Sequence, residues 1–287
     1  MSYAFIRDHV ACFPVSVMCE VLEVSRSGYY DWAARPESTR AAADRALAAE
    51  IRTAHAASRG RYGSPRVHAE LRAHGRRVGR KRIARLMRAM GLSAGRKRRF
   101  RRTTDSGHAF PIAPNLLGRD FTAAAPNHVW LADLTYIWTA QGWLYLGVVL
   151  DLFSRRVVGW AMAEHLGHDL ALAALDMAIA RQRPARGLVH HSDRGVQYAA
   201  HDYRRRLGEY GMLCSMSRKG DCWDNAPMES FYATLKGELV EQQDYLTRDE
   251  ARADVFQYVE GWYNRCRLHS AIGYLTPEQK AEQRMAA

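Results

Sequence analysis

Residues 128–140, HVWLADLTYIWTA, decide the fold of this 287-residue chain. The stretch is rich in aromatic, β-branched and other apolar residues, a composition typical of a largely buried β-strand. Two stretches of the same character follow, GWLYLGVVLDLFS (142–154) and RVVGWAMAEH (156–165), with short turns at 141–142 and 154–156. Because short turns join antiparallel neighbours, these residues predict three successive antiparallel strands.

The residues that follow add helices and two further strands. A helix is predicted over 169–182, and GLVHHSD (187–193) is predicted as a fourth strand that the chain reaches through that helix. A crossover of this kind pairs the fourth strand parallel to an earlier one. A helix near 203–210, a short strand in MLCSMS (212–217) and a helix from about residue 226 complete the pattern. The sequence therefore predicts an α/β core with a mixed sheet and helices on its faces.

Charge is divided unequally along the chain. Residues 1–122 contain 24 Lys and Arg against 10 Asp and Glu, a balance of +14, whereas residues 123–287 contain 18 against 20, a balance of −2. Such a division is typical of a region that neutralises DNA phosphates. A membrane surface is the weaker alternative because no strongly apolar face accompanies the charge, and a basic face that only aids solubility is the third interpretation.

The first segment of the chain is predicted to be a pair of short helices. VSVMCEVL (15–22) has apolar residues at helical spacing, and SRSGYYDW (25–32) can form a second helix capped by Ser25 or Ser27. Residues 1–35 are therefore predicted as a helix-turn-helix-like segment. Two short helices joined by a turn also occur in domains that do not touch DNA.

A second helical region carries most of the positive charge. After a charged linker near 35–45, helices are predicted from about 44 to 57 and from 64 to 75. In GRKRIARLMRAMG (79–91) the apolar residues fall on one stripe and the rest of the surface is basic, and a basic arm follows at 95–104. The predicted phosphate contacts on this helix and arm are Arg80, Lys81, Arg82, Arg85, Arg88, Arg96, Lys97, Arg98 and Arg99.

Three carboxylates are candidate metal ligands. Asp133 lies inside an apolar strand, where an ionised carboxylate is costly unless it is paired or binds a metal; the alternative is an edge strand that turns Asp133 to solvent. Asp193 follows the fourth strand, where it can project into a crevice or simply cap the turn at Gly195. Glu229 lies in the first turn of the helix near 226, and Lys236 follows seven residues later on the same face.

The sequences around these carboxylates resemble a known family. WLADLTY (130–136), HHSDRGVQY (190–198) and DNAPMESFYATLK (224–236) resemble the three catalytic blocks of bacterial insertion-sequence transposases of the retroviral-integrase type, the Asp-Asp-Glu recombinases with a ribonuclease-H-like core. The resemblance extends over nearly the whole chain, through the stretches YAFI, SRSGYYDW, YGSPRVHAEL, GRKRIARLMRAMGL and WYNRCRLHSAIGYLTPEQ. It implies an α/β fold with a ribonuclease-H-like mixed sheet flanked by helices, preceded by an all-helical DNA-binding region.

The resemblance also implies an enzyme, a polynucleotidyl transferase whose catalytic and metal-binding triad is Asp133, Asp193 and Glu229, with Asn225 and Lys236 near the DNA. Water would first cleave a phosphodiester at the end of the element, and the freed 3′-hydroxyl would then attack target DNA without a covalent protein intermediate. Carboxylates without thiolate ligands suit hard cations. We therefore expect two Mg²⁺ ions about 3.5 to 4 Å apart, which Mn²⁺ can replace.

The predicted organisation has five parts. They are the helix-turn-helix-like segment 1–35, the basic helical DNA-binding domain and arm 44–104, the linker 105–126, the ribonuclease-H-like catalytic core 127–240 and the C-terminal helical extension 241–287. In the extension, Thr247 and Glu250 are predicted to form a capping box, and Thr276 and Pro277 to open a last short helix.

The resemblance implies double-stranded DNA as partner, both the element ends and the target. It also implies an upstream-frame product, or a fusion with it, and a homo-oligomer on DNA. No signal peptide or membrane-spanning stretch is evident, so we expect a cytoplasmic protein that associates with the bacterial nucleoid and not with a membrane.

Several alternatives stay open at this point. His191 and Asp193 share a strand face, so they could be ligands of a zinc hydrolase, although His191 is more often a group that orients a ligand from outside the metal's own shell. A DNA-binding regulator with an inactive core would use only the basic region, and a structure-selective nuclease would share the fold. Two features depart from the family pattern. Ala132 precedes the first aspartate where a hydroxyl residue is common, and the paired His and Cys zinc ligands of retroviral integrases are absent.

Overall fold

The sheet at the centre of the protein is built from five strands. A computed structural model describes residues 2–94, 112–218 and 222–283. Its strands are β1 Val129–Thr139, β2 Gly142–Asp151, β3 Val157–Ala163, β4 Val189–Ser192 and β5 Leu213–Met216. They lie in the order β3-β2-β1-β4-β5. β1, β2 and β3 pair antiparallel, whereas β4 pairs parallel to β1 and β5 parallel to β4. The predicted mixed sheet is confirmed.

Helices surround this sheet and precede it. Those in the described ranges are α1 Ser2–His9, α2 Val15–Val21, α3 Arg26–Ala34, α4 Thr39–Ala57, α5 Ser64–Ala73, α6 Arg80–Ala89, α7 His168–Gln182, α8 Val196–Ala199, α9 His201–Glu209, α10 Ala226–Glu238, α11 Arg248–Phe256 and α12 Pro277–Glu282. Short 3₁₀ turns at Cys222–Asn225, Val240–Gln242 and Ser270–Ile272 connect some of them, and Gln257–Tyr263 is π-helical. No helix within the described ranges combines the length and the apolar character of a membrane span.

β1 contributes to two hydrophobic cores because its side chains alternate between the faces of the sheet. Trp130 and Ala132 pack into the core under α7 and α9. Leu131 and Ile137 pack into the other core, with α10 and α11. Asp133 has the same parity as Leu131 and Ile137, so it belongs to the face that α10 covers.

One glycine permits close packing of α7 on the sheet. A Cβ atom at Gly159 in β3 would lie 2.7 Å from both the backbone nitrogen and the Cβ of Ala178 in α7. Real Cβ atoms do not approach so closely, so a side chain here would push the helix off the sheet. The glycine therefore sets the distance between these two layers.

The N-terminal helices form two separate small cores. The predicted helix pair α2 and α3 is confirmed, with Ser25 as the cap that accepts a hydrogen bond from the nitrogen of Gly28 at 3.3 Å. α1 was not predicted, and it packs on this pair through the fully buried Ile6. α4 begins at Thr39, earlier than the expected 44, because Ser38 caps it by accepting from Ala41 at 3.1 Å. Much of the expected linker at 35–45 is therefore helix.

The second helical core joins the C-terminal extension. α4, α5 and α6 bury Ile51, Val67 and Ile83, and this cluster packs against Trp262 and Leu268. The predicted capping box at Thr247 and the predicted helix start at Thr276 are confirmed at the starts of α11 and α12, and the second start is a capping box as well. The helix that begins after Thr247 changes from α-helix to π-helix at Gln257–Tyr263. The wider turn lets Tyr258, Val259 and Tyr263 all be buried while Trp262 reaches the helical core.

Candidate active site

Asp133 lies on the central strand of the sheet. β1 has a neighbour on each side, so the edge-strand alternative was wrong. The Oδ1 atom of Asp133 accepts a hydrogen bond from the nitrogen of Leu134 at 2.8 Å, and its carbonyl oxygen accepts one from the hydroxyl of Tyr232 at 2.5 Å. Burial raises the pKa of the Asp133 carboxyl well above its usual range, and the charges of Asp193 and Glu229 raise it further. The three carboxylates therefore act on one another electrostatically.

Asp193 follows the last residue of β4. The Oδ1 atom of Asp193 accepts a hydrogen bond from the nitrogen of Gly195 at 2.8 Å, so the turn-capping interpretation is confirmed. Asp193 also acts on Asp133. After burial, the negative charge of Asp193 is the next cause of the raised pKa of Asp133. One carboxylate thus holds the turn after β4 and contributes negative charge beside β1.

Glu229 and Lys236 lie on α10, the helix that covers this face of the sheet. Glu229 is in the first turn and Lys236 in the last. The ammonium nitrogen of Lys236 lies 5.0 Å from the ring centroid of Tyr136, a cation–π distance. Burial lowers the pKa of Lys236, and the charge of Asp133 opposes that shift. The Lys236 ammonium group therefore lies in the same region as the carboxylates.

The three carboxylates are not preassembled as a metal site in this structure. Within residues 2–94, 112–218 and 222–283, no three His, Cys, Asp or Glu side chains are already arranged to hold one ion. The chemistry of the donors nevertheless fits a divalent cation, because all three are carboxylates with hard oxygen atoms. Binding a cation would also relieve the repulsion that raises the pKa of Asp133.

The two histidines beside Asp193 are buried and hydrogen-bonded. The Nδ1 atom of His191 is 2.8 Å from the hydroxyl of Ser215, and its Nε2 atom is 3.2 Å from the hydroxyl of Ser217. Burial lowers the pKa of His191 to about 4, so the ring is neutral. His190 faces the other side, where its Nε2 atom is 3.0 Å from the hydroxyl of Tyr203. Since both ring nitrogens of His191 have serine partners, the geometry favours an orienting role over the zinc-hydrolase alternative.

Asp224 is a structural centre of the site that the sequence did not reveal. Its fully buried carboxylate accepts hydrogen bonds from Arg218 at 2.8 and 3.0 Å, from Arg119 at 2.9 Å and from Asn115 at 2.9 Å. The Arg218 hydrogen bond is the largest cause that holds the pKa of Asp224 well below its usual range. The structure shows a tie between the segment before β1, the end of β5 and the start of α10.

Asn225, predicted near the DNA, lies inside the protein. The residue is 5% exposed, and its amide nitrogen donates to the carbonyl oxygen of Ala132 at 3.5 Å. It therefore holds the start of α10 against the backbone next to Asp133. No signal in the sequence separates this position from an exposed one, because a residue before a helix is usually on the surface.

The predicted phosphate contacts fall into three groups. Arg80, Lys81 and Arg88 are exposed on α6. Arg82 and Arg85 both pair with Asp44 of α4, at 2.6 and 2.5 Å. The remaining predicted contacts lie outside the described residues: Arg96, Lys97, Arg98 and Arg99.

Comparison with known proteins agrees with this architecture. Residues 123–222 and 210–277 each match a family described as an integrase core domain, and residues 42–100 match one described as an HTH-like domain. The HTH-like match therefore lies on the predicted basic helical domain and not on residues 1–35. Among solved structures, the catalytic core of HTLV-2 integrase in complex with magnesium has a TM-score of 0.43 at 17% identity, covering 56% of this chain and 99% of that one.

Two relatives match over nearly their full lengths. The "Insertion element IS600 uncharacterized 31 kDa protein" of Shigella sonnei is 48% identical over 260 residues, which covers 91% of this chain and 96% of that protein. "Transposase InsF for insertion sequence IS3A" of Escherichia coli (strain K12) is 42% identical over 288 residues, covering 100% of both chains. This chain therefore belongs to the family of insertion-sequence transposases that combine an HTH-like domain with a ribonuclease-H-like integrase core.

Proposed function

We propose that the chain catalyses metal-dependent cleavage at the ends of its insertion sequence and transfers the freed 3′-hydroxyl strand into target DNA. The observation that carries the proposal is that Asp133 lies on the central strand of the sheet, where burial and the charges of Asp193 and Glu229 raise its pKa. Three carboxylates close enough to interact, with no thiolate among them, suit the hard divalent cations that phosphodiester chemistry uses.

In this proposal Asp133 and Asp193 hold the cations, and Glu229 completes one of the two coordination shells. Mg²⁺ is the expected ion, and Mn²⁺ is expected to substitute for it. When bound, such ions activate the attacking oxygen and stabilise the leaving oxygen of an in-line displacement.

The remaining groups of the site bind and orient. Lys236 is held beside Tyr136 on the side of α10 that faces Asp133, where its ammonium can bind a phosphate oxygen. The Tyr232 hydroxyl fixes the backbone of Asp133, and the two serines around His191 fix the ends of β4 and β5. These contacts hold the carboxylates in place on rigid elements, as phosphoryl transfer requires.

Double-stranded DNA is the proposed substrate, both the element ends and the target. The exposed basic residues of α6, which are Arg80, Lys81 and Arg88, are the proposed backbone contacts of the HTH-like domain. Because two element ends must be brought together, we expect several copies to assemble on the DNA. Participation of an upstream-frame product stays a prediction.

The decisive test compares Asp193→Asn with the wild-type chain in cleavage and strand transfer, on DNA that carries the flanking ends and with Mg²⁺ present. Asparagine keeps the oxygen that caps the turn at Gly195 but removes the charge. We expect a loss of more than about 100-fold, beyond the range that residues outside the metal shell produce, with DNA binding retained.

A matched control is Asp249→Asn on α11, where the side chain is 88% exposed and remote from the sheet centre. We expect this variant to retain wild-type activity. Equal activity of Asp193→Asn and wild type would rule out the proposed site, whatever the DNA affinity.

A further inference from the structure

A cavity of about 580 Å³ lies against α10, beside the flank that carries Glu229. Most of its walls come from the α4–α5 connection, the helix α10 and the C-terminal segment 263–271, and other parts of the chain add Arg66, Ala94, Phe121, Leu150, Arg155 and Gln242. Ser230 and Thr234 of α10 line it. The lining includes five arginines and a single carboxylate, namely Arg59, Arg61, Arg66, Arg155, Arg267 and Glu238. We call this space the arginine cavity.

The one carboxylate of the arginine cavity is already used. Glu238 accepts from Nε and Nη2 of Arg267 at 3.0 and 2.8 Å, and from the hydroxyl of Tyr258 at 2.9 Å. The side chains of Arg267 and Glu238 are only 5% and 14% exposed. The charges of Arg267 and Glu238 therefore neutralise each other. The other arginines face the cavity without a carboxylate of their own among its lining residues.

Two of these arginines have buried nitrogen atoms that make no hydrogen bond. The guanidinium of Arg61 lies between two rings, 5.3 Å from the centroid of Tyr258 and 5.1 Å from that of Trp262. Its Nε atom donates to the carbonyl oxygen of Glu238 at 3.2 Å. Within the described part of the chain, Nη1 of Arg61 and Nε of Arg155 are buried and have no partner. A buried charged donor left unpaired is costly, so these two nitrogen atoms call for a partner such as a water or an anion.

Backbone strain accompanies the arginines. Arg59 and Arg155 have φ angles of 52° and 62°, in the left-handed region that residues with a Cβ atom rarely adopt. Such a conformation is unfavourable and persists where the surrounding structure imposes it. Both residues reach the same cavity from different loops.

The electrostatic potential in the cavity is positive. Burial lowers the pKa of His269 to about 2, and the charges of Arg267, Arg66 and Arg155 lower it further. The imidazole is therefore neutral at physiological pH and does not add to the charge. Its shift shows that the arginine charges reach the interior of the cavity.

We propose that the arginine cavity binds a backbone phosphate of the DNA strand that occupies the active site. Guanidinium groups match phosphate oxygens in geometry and charge, and the hydroxyl of Ser230 can donate to the same oxygens. An α-helix with its side chains is about 10–12 Å across. A strand that crosses the N-terminal half of α10 can therefore contact Glu229 on one flank and the cavity on the next.

This inference rests on the proposed function, since that function brings DNA to α10. The test therefore uses binding and not catalysis, in the Asp193→Asn background. Thr234 is half-buried and lines the cavity. Thr234→Glu places a carboxylate among the arginines, and Thr234→Gln has nearly the same size without the charge.

The measurement is DNA affinity over a series of salt concentrations, by fluorescence anisotropy with a short duplex. Loss of one phosphate contact reduces the slope of log K against log [salt] by about 1. We expect this reduction for Thr234→Glu, together with a higher melting temperature because the new carboxylate pairs with the arginines. Thr234→Gln is expected to keep the parental slope. Equal slopes for the Glu and Gln variants would overturn the proposal.

A second variant covers the case in which Thr234→Glu does not fold. Arg59→Gln removes one charge of the cavity at an exposed position, and Arg183→Gln removes one at the end of α7, on the opposite side of the sheet. We expect Arg59→Gln to reduce the slope and Arg183→Gln to leave it unchanged. A reduced slope for Arg183→Gln together with an unchanged slope for Arg59→Gln would refute the proposed phosphate site.

Inorganic phosphate distinguishes DNA from a small anion as the ligand. If added phosphate raises the melting temperature of the parent but no cavity variant changes the DNA slope, the site binds free phosphate and the proposal fails. Loss of catalysis in Asp193→Asn and the salt slopes are independent readouts. The proposed function and the phosphate site can therefore fail separately.

Discussion

Glu238→Gln tests the interior ion pair between Glu238 of α10 and Arg267 of the C-terminal extension. Glu238 ends α10 and accepts from Arg267, Tyr258 and, at 3.5 Å, the indole nitrogen of Trp262. The backbone carbonyl oxygen of Glu238 also accepts a hydrogen bond from Nε of Arg61, which lies between α4 and α5. Glutamine preserves the shape and one acceptor oxygen but leaves the charge of Arg267 unbalanced.

The expected cost follows from the burial of the pair. Arg267 is 5% exposed, so its charge cannot be solvated by water once Glu238 is neutral. Breaking a buried pair by removing one partner typically costs about 3–5 kcal/mol. Because glutamine keeps one acceptor, we expect the free energy of unfolding to fall by about 3 kcal/mol, at the lower end of that range.

Urea unfolding, followed by tryptophan fluorescence, measures this change, and Trp262 lies beside the substituted residue. Glu164→Gln is the matched control, since Glu164 pairs with Arg248 at 2.7 Å but is 53% exposed. We expect a loss there of only about 0.2–1 kcal/mol. A loss below about 1 kcal/mol for Glu238→Gln would show that the pair behaves as a surface pair and would refute the reasoning.

The pH dependence supplies a second check with a defined sign. Burial raises the pKa of Glu238, but the hydrogen bond and charge of Arg267 outweigh it, so the pKa lies below its ordinary value of 4.5. A lowered pKa contributes stability above the unfolded-state value and loses it as pH falls through the folded-state value. The difference in unfolding free energy between wild type and Glu238→Gln should therefore narrow below about pH 4.5.

Two further predictions concern the sheet. Burial raises the pKa of Asp133, so the metal-free protein loses stability as the pH rises through that pKa. Asp133→Asn should therefore raise the melting temperature of the chelator-treated protein at neutral pH. A lower melting temperature would contradict the burial argument. Gly159→Ala should cost about 1–3 kcal/mol in urea unfolding, because its Cβ would overlap α7. Gly208→Ala in α9, where no described atom lies within 4 Å of the new Cβ, should instead be neutral or stabilising, and equal effects of the two would refute the packing argument.

The sheet could be predicted because its signals are local. The strands β1, β2 and β3 are runs of mostly apolar residues bounded by turn residues, and the helix between β3 and β4 determines the direction of β4. The helix starts at Thr247 and Thr276 are equally local, and both were found. The change to π-helix at Gln257 has no local signal, since packing of Trp262 and Tyr263 on two different cores imposes it.

The candidate site was predictable only in part. The resemblance indicated Asp133, Asp193 and Glu229, and the structure shows that their charges interact. It could not indicate that Asp224 ties three segments together, because its partners Asn115 and Arg119 are more than 100 residues earlier. Contacts at such separations leave no mark in the spacing of a single sequence.

Several links between the helices α4–α6 and the sheet are made by a segment that is translated after both. The hydroxyl of Tyr62 donates to the carbonyl of Cys266 at 3.0 Å and accepts from the nitrogen of Leu268 at 2.9 Å, and Asn264 bonds to β3 at Val157. During synthesis, the ribosome releases the helices and the strands before these residues exist. A nascent chain halted before residue 262 would lack these hydrogen bonds, although Arg61 could still reach the carbonyl oxygen of Glu238, so the helices would be held less firmly against the sheet until the later residues are synthesised.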